Sequence, residues 1–329
     1  MEARQVHPDP AETRREAVSL GDQANRLVEE GKLEEALPVS EKAVGLRREL
    51  VEQDHDSNLL DLAASLHNHA VLLAETGHRG EALPVSEEAV ALCRELIGVD
   101  RDTYLPDLAM SLTNQVLWLT EAGRDEEAAS VSREVIALYR ELVQTDRDTY
   151  LPDLMISLIN HSVRLAESGE RSEALDASEE ALLFSRELVA RDRDTYLPYL
   201  AMSLNNQGQL LAELGREADA LFVSEEAVNA YRELVRLDRA AYLPSFIRSL
   251  AAAGYARLVG DQIGTAVQPL LEGLSRTEEL PDHVREELVP AFVGILREAY
   301  TADPDAFTVQ YTQFTGEDPP AWIREHGGL

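Results

Sequence analysis

Cys93 is the only cysteine in 329 residues, so no disulfide can close within the chain and thiolate metal clusters are excluded. Aromatic residues are scarce at 5%, and positive charge is outnumbered, with 30 lysines and arginines against 61 acidic residues. The formal charge of −31 repels phosphate backbones and anionic membrane faces, so neither nucleic acid nor a membrane is expected as a partner. Basic peptides or basic protein surfaces stay compatible with it. No run of eighteen apolar residues occurs, and the opening "MEARQVHPDPAETRREAV" contains no apolar signal core. A cytoplasmic chain is expected. Strand-type alternation is also weak, while Ala, Leu, Glu and Arg dominate, which is the composition of packed helices.

What the sequence does have is repetition. "DRDTYLPDL" begins at Asp100 and again at Asp146, and "DRDTYLPYL" begins at Asp192. Tyr104, Tyr150, Tyr196 and Tyr242 follow one another at intervals of 46, and residues 104–149 match 150–195 at 23 of 46 positions. Within a unit, Leu105, Leu108, Leu112, Val116 and Leu119 step by three and four and form one apolar helical stripe. Gly123 then marks a left-handed helix end, and Ala128, Val131, Val135, Leu138 and Leu142 form a second stripe. Gly31, Gly77, Gly169 and Gly215 hold the same turn in other units. Neither helix can bury its stripe alone, so the units must stack.

The expected organisation is an extension (1–11), then units at 12–57, 58–103, 104–149, 150–195, 196–241 and a degenerate 242–279. A C-terminal capping helix and tail (280–329) close it. Leu280–Tyr300 reads as that amphipathic helix, and Phe307, Tyr311, Phe314 and Trp322 suit a tail that folds back over the last unit.

The repeated junction could be chemistry, since Asp100/Asp102, Asp146/Asp148 and Asp192/Asp194 are D-x-D pairs. A metal or phosphate site needs further convergent ligands, and none accompanies them. A helix-start reading accounts for every junction: Asp or Thr (Ser57 at the first) as cap, with Pro106, Pro152, Pro198 and Pro244 in the first turn. His69 and His161 share a repeat position two units apart, too far for one metal, and His67 and His69 do not face one another. Trp118 reads as packing, and the Arg48, Arg94, Arg140, Arg186 and Arg232 column as a recurring ion pair. No catalytic constellation, metal site or cofactor site is found, so an enzyme is not expected.

Leu204-x2-Gln207-Gly208-x2-Leu211…Ala220-x3-Ser224, the glycine turn and the small residues Ala43, Ala89, Ala181 and Ala227 resemble the tetratricopeptide repeat over roughly the first 280 residues. The unit is 12 residues longer than the 34-residue repeat, replaces its large aromatics and lacks its closing proline. In length it resembles the kinesin light chain subclass and the long-repeat proteins common in bacteria of the actinobacterial kind. The resemblance implies an all-α, right-handed α-solenoid of about six two-helix repeats, with the first helix of each lining a concave groove. Carried onto this sequence, the peptide-contacting amide falls at Asn68, Asn114, Asn160 and Asn206, with Asp22 in the first unit. An amide can both donate and accept, so it can pair with a ligand's backbone; the same ladder also suits purely structural hydrogen bonding.

A second ladder, Glu29, Glu75, Glu121, Glu167 and Glu213, stands two residues before each turn glycine. The helix dipole favours cations there, so a repeated Glu carries a small cost. Either it serves the groove, or it pairs with an arginine of a neighbouring helix. Few cations occupy the groove positions, which argues against a receptor for chaperone C-terminal carboxylates. A basic segment, or an apolar one lying along Met110, Ile156, Val163 and Met202, fits better. The expected function is a noncatalytic scaffold binding a protein or peptide segment; the alternative is a regulatory sensor that closes on a small molecule or signalling peptide and relays the change to a partner.

Overall fold

The computed structural model describes residues 9–324; residues 1–8 of the expected extension and 325–329 of the expected tail lie outside the described residues. Those described contain helices and no strand. In chain order they are α1 (Pro10–Glu29), α2 (Leu33–Gln53), α3 (His55–Glu75), α4 (Arg79–Val99), α5 (Arg101–Glu121), α6 (Asp125–Thr145), α7 (Arg147–Glu167) and α8 (Arg171–Arg191). There follow α9 (Arg193–Glu213), α10 (Glu217–Leu237), α11 (Arg239–Val259), α12 (Ile263–Arg276), α13 (Asp282–Ala302), α14 (Pro304–Thr315) and the short α15 (Ala321–Arg324). The chain divides into two compact units, residues 1–151 and 152–329. In the first, α1 to α6 pack each on the next; in the second, α8 to α12 do the same, and α9 also touches α11 directly.

The junction decides where each odd-numbered helix begins. Asp100 is extended (φ −146°) and its Oδ1 accepts the Thr103 N–H at 3.2 Å, while the Thr103 hydroxyl donates to Oδ2 at 2.8 Å. Asp54, Asp146, Asp192 and Asp238 do the same toward the amides of Ser57, Thr149, Thr195 and Ala241. The Thr hydroxyl first, and then the Thr backbone N–H, hold the Asp100, Asp146 and Asp192 carboxyls below the ordinary aspartate range. The first Asp of each motif is therefore the cap. This corrects the expected place of the prolines. Helix α5 starts at Arg101, so Pro106 is its sixth residue and lies inside the helix, as do Pro152, Pro198 and Pro244 in theirs. Each proline withholds one backbone bond, from Pro106 to the carbonyl of Asp102, at an exposed helix start where water can replace it.

The other turn is the glycine turn. Gly31, Gly77, Gly123, Gly169 and Gly215 all have φ between 69° and 86°, the left-handed region that closes a helix. The sixth turn breaks the pattern. Asp261 occupies the glycine's slot with φ 57°, the one non-glycine residue with positive φ among the described residues.

Pair stacking is set by small side chains. Ala36, Ala82, Ala128, Ala174, Ala220 and Ala266, spaced by 46, are all fully buried. Leu66, Leu112, Leu158, Leu204 and Leu250 are the matching buried leucines of the first helices. On the second helices, Arg48 pairs with Glu88 at 2.5 Å and Arg94 with Glu134 at 2.8 Å in the first unit. Arg186 pairs with Glu226 at 2.7 Å and Arg232 with Glu272 at 3.4 Å in the second. These are ion pairs between successive second helices, as the arginine column suggested.

The C-terminal segment docks. Phe307 of α14 is fully buried, meets Tyr300 edge-on at 5.5 Å and stacks on Tyr311 at 5.8 Å. Ile323 of α15 is fully buried, and Arg297 Nε donates to the Trp322 carbonyl at 2.6 Å. Phe314 and the Trp322 side chain, expected to be covered, stay partly exposed.

Two substitutions test this account. Asp261→Gly is expected to raise stability by about 0.5–1 kcal/mol, because a left-handed Asp carries strain that glycine lacks. Ala128→Leu should cost about 1–3 kcal/mol through overpacking. Urea unfolding monitored by circular dichroism measures both.

Candidate functional site

Residues at spacings of four, three and four share one face of a helix. On α5 that face carries Met110, Asn114, Leu117 and Glu121; on α7, Ile156, Asn160, Val163 and Glu167; on α9, Met202, Asn206, Gln209 and Glu213. The apolar members are not hidden. Met110 is 46% exposed and Leu117 55%, and Val18, Val163 and Tyr255 on the corresponding faces of α1, α7 and α11 are also exposed. Helices α5 and α7 thus present an apolar residue, an amide, a second apolar residue and a carboxylate in order along their length; α9 has Gln209 at the third place. Val18 of the Met110 column, and Leu117 and Tyr255 of the column beside it, were not singled out from the sequence, where Val163 alone stood for that second column. The signal was the neighbouring column 71, 117, 163, 255, occupied by Val71, Leu117, Val163 and Tyr255.

Two clefts open between adjacent first helices. In the first unit, α1 and α3 enclose 110 Å³ lined by Asp22 and Asn68 with Val18, Asn25 and Arg47. In the second, α7 and α9 enclose 370 Å³ lined by Glu167, Asn206 and Glu213 with Val163, Gln209 and Arg171. Five of the residues singled out from the sequence therefore line clefts, two in one and three in the other. Asn160 is exposed on α7 and lines neither cleft. Asn114 is half-buried, and its amide lies 3.3 Å from His67 Nε2, whose Nδ1 lies 3.4 Å from the Ser111 hydroxyl. That amide is engaged in the structural pairing which the sequence left open.

The glutamate ladder resolves in the same manner. Glu121 pairs with Arg79 at 3.2 Å, and Glu213 with Arg171 at 2.9 Å while also accepting from Gln209 Nε2 at 3.2 Å. Arg79 and Arg171 are the first residues of α4 and α8. A cation at a helix start and an anion at a helix end are each disfavoured by the dipole, and here each offsets the other. The positions equivalent to Arg79 and Arg171 in the remaining units include Leu33 and Asp125, which supply no cation for Glu75 or Glu167.

A buried polar column runs beneath this face. His69, Gln115, His161 and Gln207, spaced by 46, are all buried, and His69 Nδ1 lies 3.2 Å from the Ser40 hydroxyl. Burial pushes the His69 imidazole below its ordinary range; Arg48 lowers it further, while Glu41 and Glu81 act the other way. Among the described residues, no group of three or more His, Cys, Asp or Glu side chains is placed to hold a metal ion, and no helix is long and apolar enough to cross a membrane.

Residues 62–102, which hold most of α3 and all of α4, match the tetratricopeptide repeat family. That segment is a tetratricopeptide repeat. No curated protein matches the sequence. Among solved structures, the kinesin light chain-like repeats of Podosopora anserina align over 70% of this chain and 100% of theirs, with 19% identity and a TM-score of 0.52. BtubC from P. vanneervenii aligns over 90% of this chain and 97% of its own, with 15% identity and a TM-score of 0.53. A signal-transduction ATPase from Pyrococcus horikoshii that has a tetratricopeptide repeat sensor covers 93% of this chain with 44% of its own, at 13% identity and a TM-score of 0.61. At these identities the likeness concerns the fold, all-α stacking of two-helix repeats.

His69 of the buried column gives its repeat a pH dependence. An unfolded imidazole takes up a proton near about pH 6.5, and the folded His69 only below that, so its stabilising contribution is complete above this pH. It is lost as pH falls through the depressed folded value. His69→Gln installs the residue that the repeats themselves use at Gln115 and Gln207. Its melting temperature is expected to fall less than that of the wild type between neutral and mildly acidic buffer, which differential scanning calorimetry measures.

Proposed function

We propose that the repeats are a noncatalytic scaffold whose first-helix face binds a protein segment, the preferred segment being an extended one with basic and apolar residues. One observation carries this reading. Apolar side chains that could have been buried or replaced by charge stand exposed at a repeated position, beside amides and a row of carboxylates. Adjacent helices lie about 8–10 Å apart, and an extended chain advances about 3.3 Å per residue, so such a segment meets a new helix roughly every third residue. In the second unit Asn160 and Asn206 would then pair with its backbone, Val163 with an apolar side chain and Glu167 with a Lys or Arg; in the first unit Asn68, Leu117 and Glu75 are the corresponding groups. In complexes of this kind apolar anchors contribute most of the affinity, and rim charges contribute mainly to rate and selectivity.

The test uses Asn160 and Asn206, because replacing Asn114 would also disturb His67. Binding of the wild type to a displayed library of random extended peptides should enrich sequences with Lys or Arg near Leu, Ile or Val. The Asn160→Ala/Asn206→Ala variant should bind the enriched peptides about tenfold more weakly, the scale of one or two lost hydrogen bonds, with an unchanged melting temperature. Enrichment of acidic peptides, or equal affinity of the variant, sinks the reading.

A further inference from the structure

The sixth repeat departs from the others at two positions that are buried elsewhere, and both departures line the same space. The first lies in the column Leu73, Leu119, Leu165 and Leu211, all at most 4% exposed; its sixth member is Arg257. The second is the buried polar column His69, Gln115, His161 and Gln207, whose sixth member is the much smaller Ala253. Where the other repeats place a long polar side chain, α11 has only Ala253, and a pocket of 390 Å³ lies between α10 and α12 with Arg257 in its wall. Its floor is apolar, from Val228, Leu250 and Pro269, and its walls are charged.

Both signs of charge are present. Arg257 pairs with Glu225 at 2.8 Å, and Glu272 is shared between Arg232 at 3.4 Å and Arg276 at 3.3 Å; all but Arg276 line the pocket. The Arg232 guanidinium lies 5.6 Å from the centre of the Phe246 ring, which restrains it from one side. The Arg257 side chain is only 19% exposed, so its charge depends on a partner within the site. An anion entering alone would take Arg257 from Glu225 and leave that carboxylate without its cation. A cation entering alone would do the reverse to Arg257. A molecule carrying both charges can enter between Arg257 and Glu225 and leave both of them matched. A net-neutral molecule also avoids the long-range field of a chain with charge −31.

We infer that this pocket is a binding site for a small zwitterion of the α-amino-acid class, its carboxylate on Arg257 and its ammonium on Glu225 or Glu272. The volume suits such a ligand, being near the lower end of small-molecule sites at about 300–1,000 Å³. This site is separate from the first-helix face and does not rest on the scaffold reading.

The experiment is isothermal titration of the intact protein with each of the common L-amino acids at millimolar concentration, with sodium acetate and ethylammonium chloride as single-charge controls. Two variants restore the residues that the other repeats carry, Arg257→Leu and Ala253→Gln, so both are compatible with folding; circular dichroism confirms it. At least one amino acid should bind saturably, and both variants should weaken it by more than about tenfold, as expected for a lost charge-assisted contact or a filled pocket. Peptide binding at the first-helix face should be unchanged in these variants. Absence of binding by every amino acid overturns the proposal, as does equal affinity in both variants. Acetate or ethylammonium binding as tightly as the best amino acid overturns the assignment to a zwitterion.

Discussion

Six alanines 46 residues apart, from Ala36 to Ala266, are each completely enclosed, and everything else in the repeats depends on the contact they allow. An alanine lets two helix backbones approach more closely than any larger apolar residue would, and interiors packed to crystal-like density do not absorb added methylenes. With the second helix seated there, Leu66, Leu112, Leu158, Leu204 and Leu250 of the first helices are buried as a row. The orientation of each first helix is thereby settled, and so is the opposite face, which carries Met110, Asn114, Leu117 and Glu121 on α5. The exposed face is a consequence of the buried one.

Local chemistry then sets where each helix begins and ends. The capping aspartates start α3, α5, α7, α9 and α11 at a constant distance from the alanine contact, and a left-handed residue ends them, glycine in all but α11. The arginine–glutamate pairs between successive second helices are solvent-exposed, and pairs of that kind contribute at most about 1 kcal/mol each. Their regular spacing of 40 residues makes them markers of register more than sources of stability. The same logic applies where Arg79 meets Glu121 and Arg171 meets Glu213. Two charges at the wrong ends of their helices become neighbours only after stacking.

That difference explains what could be seen in the sequence. The period, the helix pairs and the glycine turns are local patterns, and a single chain displays them without reference to tertiary contact. The role of the first Asp in "DRDTYLPDL" was legible as a cap, but its consequence was not. Pro106 resembled a first-turn residue because helix-start signals spread over several positions, and only the Asp100–Thr103 hydrogen bonds decide that Arg101 leads. Which Asn ladder members line a cleft depends on neighbours distant in sequence: Asn114 finds His67, whereas Asn206 finds Glu167 and Glu213. The substitutions of the sixth repeat were visible, since Ala253 and Arg257 stand in plain register with His69 and Leu73. Their meaning required the helices on either side, because only α10 and α12 turn a missing side chain into a walled space.

The charge balance carries the argument one step beyond the individual pairs. Were every lysine and arginine engaged with a carboxylate, 61 − 30 = 31 acidic groups would still lack a cation. Repulsion among them opposes compaction, and it is tolerable because water and salt screen exposed charges beyond a Debye length of about 8 Å at physiological ionic strength. On the first-helix face Glu121 and Glu213 are offset by Arg79 and Arg171, whereas the equivalent positions Leu33 and Asp125 give Glu75 and Glu167 no such cation. Under the proposed reading, a cation brought to Glu75 or Glu167 would relieve repulsion that the chain's own arginines relieve at Glu121 and Glu213. The place of a charge, more than the net charge, would then decide what binds.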